Sequence, residues 1–549
     1  MGEIPSKKGV SLDRKFGACR AEMRLLQKNN KMPIRSALSL AKLICAIMVT
    51  CSTALCQPPP DELSEARQLY LRGEFPAAIQ KYRSVIEKTP GSEEAQLGLI
   101  RSSWKGDFVN DAYRFGLKAL DSFPSSASIH AAMGDVLFRM GKMAEARADY
   151  QKAIQLDPKS ARAYFGMDKI YSFNFFHKSA NKMEAMAYEC DPEDPEIIEA
   201  YASQLPAKDK ILLLEKYLRL ATNELEEKRT AAADRITYYK IIGDLKTWKI
   251  SDPPLQGEID LHSVMDPRTG KTGYSISVLF NGSKKVNLQL DTGAHGILIR
   301  HNVMEKLNLE LLGPSHISGI GDSGQQQADL ALAQSVGIGP LEFHTCPLRV
   351  TGKRLPFDRD GIIGVDVFEQ FLITLNLPNN KLEFGPLPEI QGISTDPESW
   401  KNLDRTIPPD LKSFALMGRW GNLVIPTIIN QKKTGFFFLD TGAATNVLSK
   451  AIAQELVSLQ DMGKTYGGLS GRTETYLAKN VSVQIGRLYQ ENARIYAIDL
   501  KDTSQKLGLE ISGLLGYPML SNLVITLDLR DGLIDFQYPS GNAPRKNKN

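Results

Sequence analysis

Cysteine is scarce in this sequence, and four of its six cysteines lie within the first 56 residues. Only Cys190 and Cys346 fall in the rest of the chain, which contains no Cys-x-x-Cys pair and no cluster of cysteine with histidine. Disulfide scaffolds need closely spaced cysteines, and structural zinc sites need a set of cysteine and histidine ligands. The scarcity therefore excludes a disulfide scaffold and a structural zinc centre.

A strong excess of one charge is also missing from most of the chain. Residues 1–56 contain ten Lys or Arg and three Asp or Glu, a net charge of +7, while the whole chain carries only +4. Residues 57–549 therefore carry a net charge of about −3. Nucleic-acid-binding proteins concentrate positive charge, so this near-neutral region argues against nucleic acid as the main partner.

Long hydrophobic runs are equally rare. Hydrophobic residues make up 42% of the sequence and charged residues 24%, which is ordinary for a soluble globular protein and excludes a polytopic membrane protein or a disordered chain. Residues 43–55 form an uncharged, mostly apolar run, but thirteen residues are too few to span a bilayer comfortably. Arg35 and Lys42 precede this run, as basic residues precede the hydrophobic region of a signal peptide.

Two interpretations of residues 1–56 are open. The segment is either a signal peptide cleaved before Gln57 or an uncleaved anchor that holds residues 34–56 in the membrane. The sequence leaves open whether Met1 or Met32 is the true start. Both interpretations predict that the rest of the protein is exported, to the periplasm or the extracellular space.

A repeat of 34 residues follows this segment. Prolines recur at that interval, and an alanine lies twelve residues before each of them. The prolines are Pro90, Pro124, Pro158 and Pro192, and the alanines are Ala78, Ala112, Ala146 and Ala180. A small residue at a fixed position allows two helices to pack closely, and the proline ends the second helix. The pattern resembles the tetratricopeptide repeat family, which implies an all-α solenoid over residues 57–205 that binds a protein partner.

The hydrophobic pattern changes from helical to alternating after residues 206–252, which are predicted to form a helical cap or linker. Short alternating runs with turn signals follow. Asn281-Gly282 between two of these runs is a strong signal for a β-hairpin. The chain after residue 252 is therefore predicted to be all-β, and the protein as a whole to be multidomain.

The predicted β region contains a second duplication. Asp291-Thr292-Gly293-Ala294 recurs 149 residues later as Asp440-Thr441-Gly442-Ala443, each time after a run of apolar residues. A single Asp-Thr-Gly is weak evidence, because it can be an ordinary exit from a strand into a turn. Two copies predict two related lobes, residues 253–390 and residues 391–549, the second with a basic C-terminal tail.

Further landmarks follow each motif in the same order. Gly319-Ile320-Gly321 begins 28 residues after the first aspartate, and Gly468-Leu469-Ser470 begins 28 residues after the second. Two hydrophobic residues and a glycine then end at Gly364 and at Gly516, which lie 73 and 76 residues after the respective aspartates. Several matching landmarks are hard to obtain by chance.

The paired motifs resemble the aspartic peptidases, and an alanine after Asp-Thr-Gly is usual in their retropepsin-like branch. The resemblance covers about residues 257–538. It implies that Asp291 and Asp440 form the catalytic pair and share a proton, because two carboxylates face to face cannot both ionise. One takes a proton from a bound water and the other donates to the substrate carbonyl, so no metal or organic cofactor is implied.

The resemblance also implies supporting roles for residues around the pair. These residues are Thr292, Gly293, Ala294 and Gly364 in the first lobe and Thr441, Gly442, Ala443 and Gly516 in the second. The threonines are expected to hydrogen-bond across the axis, and the glycines after them to bring backbone N–H groups near the carboxylates. The alanines replace hydroxyl residues that donate to the carboxylates in pepsin-like relatives. The last glycine of each lobe is expected beneath the loop, with an ordinary turn as the alternative.

Each lobe is expected to contribute a β-hairpin flap over the cleft. Residues 318–329 and 467–476 are rich in glycine and small polar residues, as a mobile cover requires, and ordinary surface hairpins are the alternative. The similar lengths of the two segments predict two equivalent flaps. The flap positions expected to bind substrate are Gly319, Ile320, Gly321, Gly468, Leu469 and Ser470.

Together these patterns predict an exported aspartic-type endopeptidase that hydrolyses a protein or peptide held in extended form between the lobes. The alternative is a non-catalytic peptide-binding or scaffold protein with a peptidase-like domain. Retention of an aspartate in both lobes favours the enzyme. His295 follows the first motif, where it either acts on the pair and the substrate or is an ordinary histidine that faces solvent or is satisfied in the core.

Overall fold

The structure is a computed structural model that describes residues 61–251, 254–266, 270–319, 324–352, 355, 359–390, 397–400, 402–468 and 471–539. The chain divides into two compact units, Met1–Glu65 and Ala66–Asn549. Only residues 61–65 of the first unit are described, so the predicted signal or anchor segment lies outside the described residues. Among the residues that are described, no helix is both long and apolar enough to cross a membrane.

Helices occupy the chain from Glu62 to Ile242. They are α1 (Glu62–Leu71), α2 (Phe75–Lys88), α3 (Glu93–Lys105), α4 (Val109–Ser122), α5 (Ala127–Arg139), α6 (Met143–Leu156), α7 (Ala161–Phe173), α8 (His177–Cys190), α9 (Pro195–Tyr201), α10 (Ala207–Leu220) and α11 (Glu226–Ile242). The four repeated prolines each lie two residues after the end of α2, α4, α6 or α8. This region is the all-α solenoid that the 34-residue repeat predicts.

Small residues explain how these helices approach one another. All four repeated alanines are buried, with at most 3% of their surface exposed. The ring of Tyr150 in α6 lies against Gly134 and Gly166 of the neighbouring helices, where an added Cβ would be only 2.5 and 2.1 Å from that ring. Tyr82 in α2 contacts Gly98 in α3 in the same way, at 2.3 Å. The recurrent tyrosines therefore fit only because glycine faces them.

Strands dominate the rest of the described chain. The first lobe contains β1 (Lys249–Ile250), β2 (Gly257–Asp266), β3 (Gly270–Phe280), β4 (Lys284–Asp291), β5 (Ile297–Arg300), β6 (Leu311–Ile317), β7 (Gln326–Ile338), β8 (Leu341–Thr351), β9 (Gly361–Gly364), β10 (Phe371–Asn376) and β11 (Lys381–Pro386). The second lobe contains β12 (Ala415–Leu416), β13 (Gly418–Trp420), β14 (Asn422–Ile429), β15 (Lys433–Leu439), β16 (Asn446–Ser449), β17 (Leu459–Gly468), β18 (Gly471–Ile485), β19 (Leu488–Ile498), β20 (Gly513–Leu515), β21 (Val524–Asp528) and β22 (Leu533–Gln537). Short helices between strands are α12 (His301–Leu307), α13 (Pro397–Trp400), α14 (Lys450–Leu456), α15 (Lys501–Leu507) and α16 (Tyr517–Leu520).

Within the described residues these strands form two sheets. The larger has the order β12-β22-β21-β10-β11-β2-β3-β4-β9-β5-β8-β7-β6, with β1 also paired to β8, and the smaller has the order β13-β14-β15-β20-β16-β19-β18-β17. In the larger sheet, β10 of the first lobe pairs with β21 of the second, and the hydroxyl oxygens of Thr374 and Thr526 lie 3.1 Å apart. Strands from both lobes therefore share one continuous sheet.

The two lobes repeat one arrangement around their Asp-Thr-Gly motifs. In the first lobe, β4 runs parallel to β9, with Asp291 opposite Gly364, and β5 runs antiparallel to β9. In the second lobe, β15 runs parallel to β20, and β16 runs antiparallel to β20. Parallel strands need a long connection between them, which explains why each motif and its later glycine are more than 70 residues apart.

The solenoid packs directly against the second lobe. Phe173, the last residue of α7, is buried in one hydrophobic cluster with Val424, Phe438 and Val447. Its ring centroid lies 5.1 Å from that of Phe436, which also packs against this cluster. The end of α7 is therefore part of the core of the second lobe.

Polar contacts extend the same interface. Ser179 donates hydrogen bonds to the Asp404 carboxylate from its backbone N–H and its hydroxyl, at 2.9 and 2.7 Å. Arg139 Nη1 donates to the Glu510 carboxylate at 2.8 Å. Phe175 is buried with a φ of +60°, and the Arg405 guanidinium lies 5.2 Å from its ring centroid. Because these contacts are buried and varied, the solenoid is held in a fixed position on this lobe.

Candidate active site

Asp291 and Asp440 lie at equivalent places at the ends of two buried strands. Asp291 is the last residue of β4, and Asp440 directly follows β15. A Cβ added to Gly442 would be 2.4 Å from Asp291 Cγ, and one added to Gly293 would be 3.2 Å from Asp440 Cγ. Each loop glycine therefore lies against the carboxyl group of the opposite lobe. The structure brings the two predicted catalytic aspartates together.

Thr292 and Thr441 form a symmetric set of hydrogen bonds between the lobes. The backbone N–H of Thr292 donates to Thr441 Oγ1 at 3.1 Å, and that of Thr441 donates to Thr292 Oγ1 at 2.9 Å. Each hydroxyl then donates to a backbone carbonyl of the opposite lobe, Thr292 Oγ1 to Leu439 O at 2.7 Å and Thr441 Oγ1 to Leu290 O at 3.0 Å. Both threonines are buried, so these bonds fix the spacing of the two strand ends.

Backbone N–H groups at the start of each turn contact the carboxylates. Gly293 donates to Asp291 Oδ1 at 2.8 Å, and Ala443 donates to Asp440 Oδ1 at 2.8 Å. Hydrogen bonds of this kind orient the carboxyl groups and favour their charged form. The glycines and alanines after the threonines thus lie where the sequence places them, beside the carboxyl pair.

Gly364 and Gly516 lie beneath the two loops, where a side chain has no room. An added Cβ on Gly364 would be 2.4 Å from the carbonyl oxygen of Ala294, and one on Gly516 would be 2.2 Å from that of Thr445. Neither contact is with a flexible side chain, so the loops could accommodate a larger residue only by moving. Close backbone approach, rather than an ordinary turn, accounts for both glycines.

Different side chains support the two loops. The Asp366 carboxylate accepts the backbone N–H of Gly296 with both oxygens at 3.0 Å, whereas in the second lobe Asn446 Oδ1 accepts the N–H of Gly516 at 3.0 Å. Asp366 and Asn446 play comparable roles, but only the first carries a charge. Neither residue was predicted from the sequence.

Burial and mutual repulsion determine the protonation of the pair. Burial raises the pKa of Asp440 well above its ordinary value, and the negative charge of Asp291 raises that pKa further. Burial also raises the pKa of Asp291, although the N–H of Gly293 partly offsets this effect. A pair of carboxyls in this environment retains a proton to higher pH than isolated aspartates do.

Two basic residues lie near the pair. The sequence analysis did not identify Arg359, and it left the role of His295 open. The charges of Asp291 and Asp440 act on Arg359, and burial lowers the pKa of its guanidinium to about 10. No motif marks this arginine.

His295 is half-exposed, with Nδ1 3.5 Å from the Asp366 carboxylate and Nε2 in contact with the carbonyl oxygen of Gly421. The hydrogen bond to Asp366 raises the pKa of His295, so this histidine is tied to the loop support.

Each lobe has a hairpin at the place expected for a flap. We call β6 and β7 the first hairpin and β17 and β18 the second hairpin. Gly319 and Gly468 are described, but Ile320, Gly321, Leu469 and Ser470 lie outside the described residues. The second hairpin pairs as far as Gly468 with Gly471, whereas the last pair observed in the first is Ile317 with Gln326. The equivalence of the two flaps stays a prediction, because residues 320–323 and 469–470 lie outside the described part of the chain.

Tyr466 is a further residue near the pair that was not predicted from the sequence. It lies on β17, two residues before the end of that strand. Burial raises its pKa, and the negative charges of Asp440 and Asp291 raise that pKa further. Among the described residues, no group of three or more His, Cys, Asp or Glu side chains could hold a metal ion.

Family models match both halves of the chain. Residues 276–370 match the model described as "gag-polyprotein putative aspartyl protease", and residues 425–519 match the model described as "Aspartyl protease". Residues 134–172 match a model described as "TPR repeat". Each protease match contains one Asp-Thr-Gly-Ala motif.

Individual proteins match at low identity. The chain is 24% identical over 106 residues to the "Protein CTR9 homolog" of Arabidopsis thaliana, which covers 19% of this chain and only 10% of that protein. Among solved structures, a thermophilic tetratricopeptide protein of Thermus thermophilus is 21% identical with a TM-score of 0.28, over 32% of this chain and 97% of the other. An aspartic proteinase from Irpex lacteus is 12% identical with a TM-score of 0.30, over 52% of this chain and 98% of the other.

The family matches agree with the folds seen in the two regions of the chain. The repeat model falls within the helical solenoid, and the two protease models fall on the two duplicated lobes. The resemblance predicted from the sequence is confirmed: a match to a tetratricopeptide repeat model is followed, in one polypeptide, by two lobes that each match an aspartyl protease model.

Proposed function

We propose that this protein is an aspartic-type endopeptidase in which Asp291 and Asp440 activate a water for attack on a peptide bond. The observation that carries the proposal is the symmetric pair itself. The two carboxyl groups are partly buried, each lies against the loop glycine of the opposite lobe, and crossed threonine hydrogen bonds hold the loops together. A purely structural role does not explain why two partly buried acids face each other, since removing charge from water is costly.

The chemistry follows from the shared proton. One carboxylate of the pair takes a proton from water as the oxygen attacks the carbonyl carbon, while the protonated partner donates to the carbonyl oxygen. The titration belongs to the pair, so neither role is assigned to one residue. The N–H groups of Gly293 and Ala443 keep the acceptor oxygens oriented, and burial keeps the proton on the pair.

The proposed substrate is a protein or peptide in extended form. The second hairpin ends in the edge strand β17, with which an extended chain can pair. The repeats suggest a protein partner for the solenoid as well.

We also propose that the protein is exported, since residues 43–55 have the length and flanking charges of a signal-peptide core. N-terminal sequencing of the protein from fractionated cells tests the export proposal, and recovery of the full-length chain in the cytoplasm would contradict it.

A cleavage assay tests the enzymatic proposal. We expect the purified protein to fragment an unfolded protein substrate between about pH 4 and 8, the range in which a shared-proton pair acts. The Asp291→Asn variant is expected to be inactive. Asp260→Asn is a matched control, because the Asp260 side chain is exposed on β2, where it pairs with Lys381 at 2.9 Å.

Binding without cleavage would favour the alternative function. If the wild-type protein binds such substrates and leaves them intact over the whole pH range, the peptidase-like lobes are better explained as a peptide-binding module. Equal cleavage by the wild type and the Asp291→Asn variant would instead show that another site, or a contaminant, is responsible.

A further inference from the structure

Helix α11 contacts the first hairpin through one carboxylate. Asp234 Oδ2 accepts the backbone N–H of His316 at 2.7 Å, and His316 Nδ1 lies 3.0 Å from Asp234 Oδ1. The hydroxyl of Ser315 lies 3.5 Å from Asp234 Oδ2. Hydrogen bonds to a carboxylate are stronger than those between neutral groups, and this one is half-buried. The strand β6 is therefore bound near its C-terminal end to the last helix of the solenoid.

The same helix face meets the hairpin along most of its length. The carbonyl oxygen of Glu227 accepts a hydrogen bond from Gln325 Nε2 at 3.0 Å. An added Cβ on Gly313 would be 3.1 Å from Thr237 and 3.2 Å from Ile241. Positions 227, 234, 237 and 241 are separated by seven, three and four residues, so they lie on one face of the helix. This face covers β6, which is an edge strand of the larger sheet.

The first turn of α11 also reaches the second lobe. The Glu227 carboxylate pairs with Lys506 of α15 at 3.1 Å, in addition to the bond between its backbone oxygen and Gln325. The hydrogen bond from Lys506 helps to lower the pKa of Glu227 below its ordinary value, against the effect of burial, so the carboxylate is charged at neutral pH. One residue of the solenoid cap thus connects both lobes.

Buried ion pairs inside the solenoid hold the start of α11 in place. Glu224, two residues before the helix, accepts from Lys105 at the end of α3 at 2.9 Å. Lys105 also pairs with Glu196 of α9 at 2.7 Å, and Glu196 contacts Arg162 of α7. Lys105 and Arg162 lower the pKa of Glu196 far enough, against the cost of burial, to keep it charged. Breaking a buried pair of this kind is costly, so α11 cannot easily shift on the solenoid.

The second hairpin has a different environment. Its outer strand β17 is the last strand of the smaller sheet. Every β17 residue whose side chain is described is exposed or half-buried, and the strand contains Gly463 and Gly467. Local opening is easiest where few buried contacts hold a segment, so β17 is the better candidate for motion.

We propose that α11 is a brace that holds the first hairpin in place, with Asp234 as the positioning residue. The part of this inference that concerns catalysis rests on the proposed peptidase function. The brace itself does not, because it concerns the order of β6 with or without turnover. In this arrangement the solenoid is a component of the cleft as well as a platform for a partner.

Hydrogen exchange on the full-length protein tests the brace. We expect amide exchange in residues 311–317 to accelerate about tenfold in Asp234→Ala, the change expected for loss of a charge-assisted hydrogen bond, while exchange in residues 459–468 is unchanged. Asp234→Asn is expected to have an intermediate effect, since it retains an acceptor oxygen for His316 N–H. Glu215→Gln is the matched control, because its exposed ion pair with Lys240 of α11, 3.1 Å long, lies within the solenoid.

Kinetics test the positioning role with the same variants. A loosened hairpin must be ordered when substrate binds, so we expect KM for an unfolded substrate to rise severalfold in Asp234→Ala while kcat stays within about twofold. Unchanged exchange in residues 311–317 would overturn the brace. Faster exchange with an unchanged KM would overturn the positioning role.

Two further measurements keep the outcomes separable. If Asp234→Ala does not fold, His316→Ala is used instead, because it removes the contact between His316 Nδ1 and Asp234. The same changes in hydrogen exchange and in KM are then expected. If the wild-type protein cleaves nothing, the proposed peptidase function fails, yet the exchange experiment still supports or overturns the brace.

Discussion

At the axis between the lobes, Thr292 and Thr441 exchange equivalent hydrogen bonds, whereas the two hairpins farther out have different neighbours. The first hairpin contacts α11 along one helix face, and the second ends in an exposed strand. The solenoid contacts the first lobe through α11 and the second lobe through Phe173. Duplication is thus preserved where the proposed chemistry needs symmetry, and it has diverged where a single solenoid must attach to two lobes.

The largest loss of activity is expected from substitutions that remove the symmetry of the aspartate pair at the axis between the lobes. Asp291→Asn and Asp440→Asn should each lower kcat/KM for an unfolded substrate by about 10⁴-fold or more, because either change removes the shared proton. The double variant should lose little more than either single variant, since the pair acts as a unit. Steady-state kinetics on all three variants provide the measurement. Substantial activity in one single variant would assign the chemistry to the other lobe alone.

The next effect concerns the attachment of the solenoid to the second lobe. Phe173→Ala should lower the free energy of unfolding by about 3–5 kcal/mol, because it leaves a cavity in a cluster shared by both regions. Urea unfolding followed by fluorescence measures this loss. Phe108→Ala is the control, since Phe108 is exposed. A loss as small as that of the control would mean that the second lobe packs its core without the solenoid.

Alanine in place of Gly364 or Gly516 tests whether the backbone is packed equally tightly beneath the active-site loops of the two lobes. Gly364→Ala and Gly516→Ala should each cost about 1–3 kcal/mol, because the new methyl group meets backbone oxygens at 2.4 and 2.2 Å. Gly385→Ala is the control, since nothing lies within 4 Å of its added Cβ, and its cost should stay within about 0.5 kcal/mol. Thermal unfolding compares the three variants. If alanine lowers the stability in only one lobe, the two loops differ in how easily they move to accommodate a side chain.

The pH dependence of stability reports on the buried pair. Burial raises the pKa of both carboxyls, so the folded protein holds protons that the unfolded chain releases near pH 4. The stability from this source is fully present below about pH 4 and is lost as the pH rises through the raised pKa values. Asp440→Asn should reduce that fall, as measured by urea unfolding from about pH 4 to 8. An identical pH profile in the variant would show that other buried acids, such as Glu184, dominate.

The smallest expected effect concerns the residue after each Asp-Thr-Gly. Ala294→Ser and Ala443→Ser together should move the pH of maximum activity toward acid, by about one unit, because a new hydroxyl donor favours the charged carboxylate. A pH series of kcat/KM for the double variant measures the shift. The single variants sharpen the comparison, since unequal shifts would show which lobe dominates the titration. No shift at all would point to Arg359 and His295 as the groups that set it.

Much of the fold could be predicted because its signals are local or repeated. The 34-residue spacing of prolines and buried alanines reflects the geometry of a helix pair, which each repeat must satisfy by itself. The later glycines Gly364 and Gly516 meet the same steric requirement in each lobe, because a backbone oxygen lies within 2.4 Å of where their Cβ would be. A steric requirement of this kind restricts one sequence position to one residue type, so it can be recognised in the sequence.

Other features of the site could not be predicted from spacing. The charges of the pair act on Arg359 in a loop and on Tyr466 in a hairpin, and nothing in the neighbouring sequence marks either residue. The different neighbours of the two hairpins could not be predicted from segment length, because they depend on which parts of the fold pack beside each strand. The long-range partners Asp234 and His316 are 82 residues apart, and each looks like an ordinary surface residue in sequence.

The amino-acid sequence by itself determined the helical repeat, the two lobes and the identity of the paired aspartates, since these depend on periodicity and on residues with no substitute. Only the tertiary structure decided that Phe173 completes the core of the second lobe, that Asp366 supports one loop where Asn446 supports the other, and that α11 covers β6. The physical reason is the range of the interactions. Steric and periodic constraints act between near neighbours in the chain, whereas burial and ion pairing depend on which distant surfaces meet.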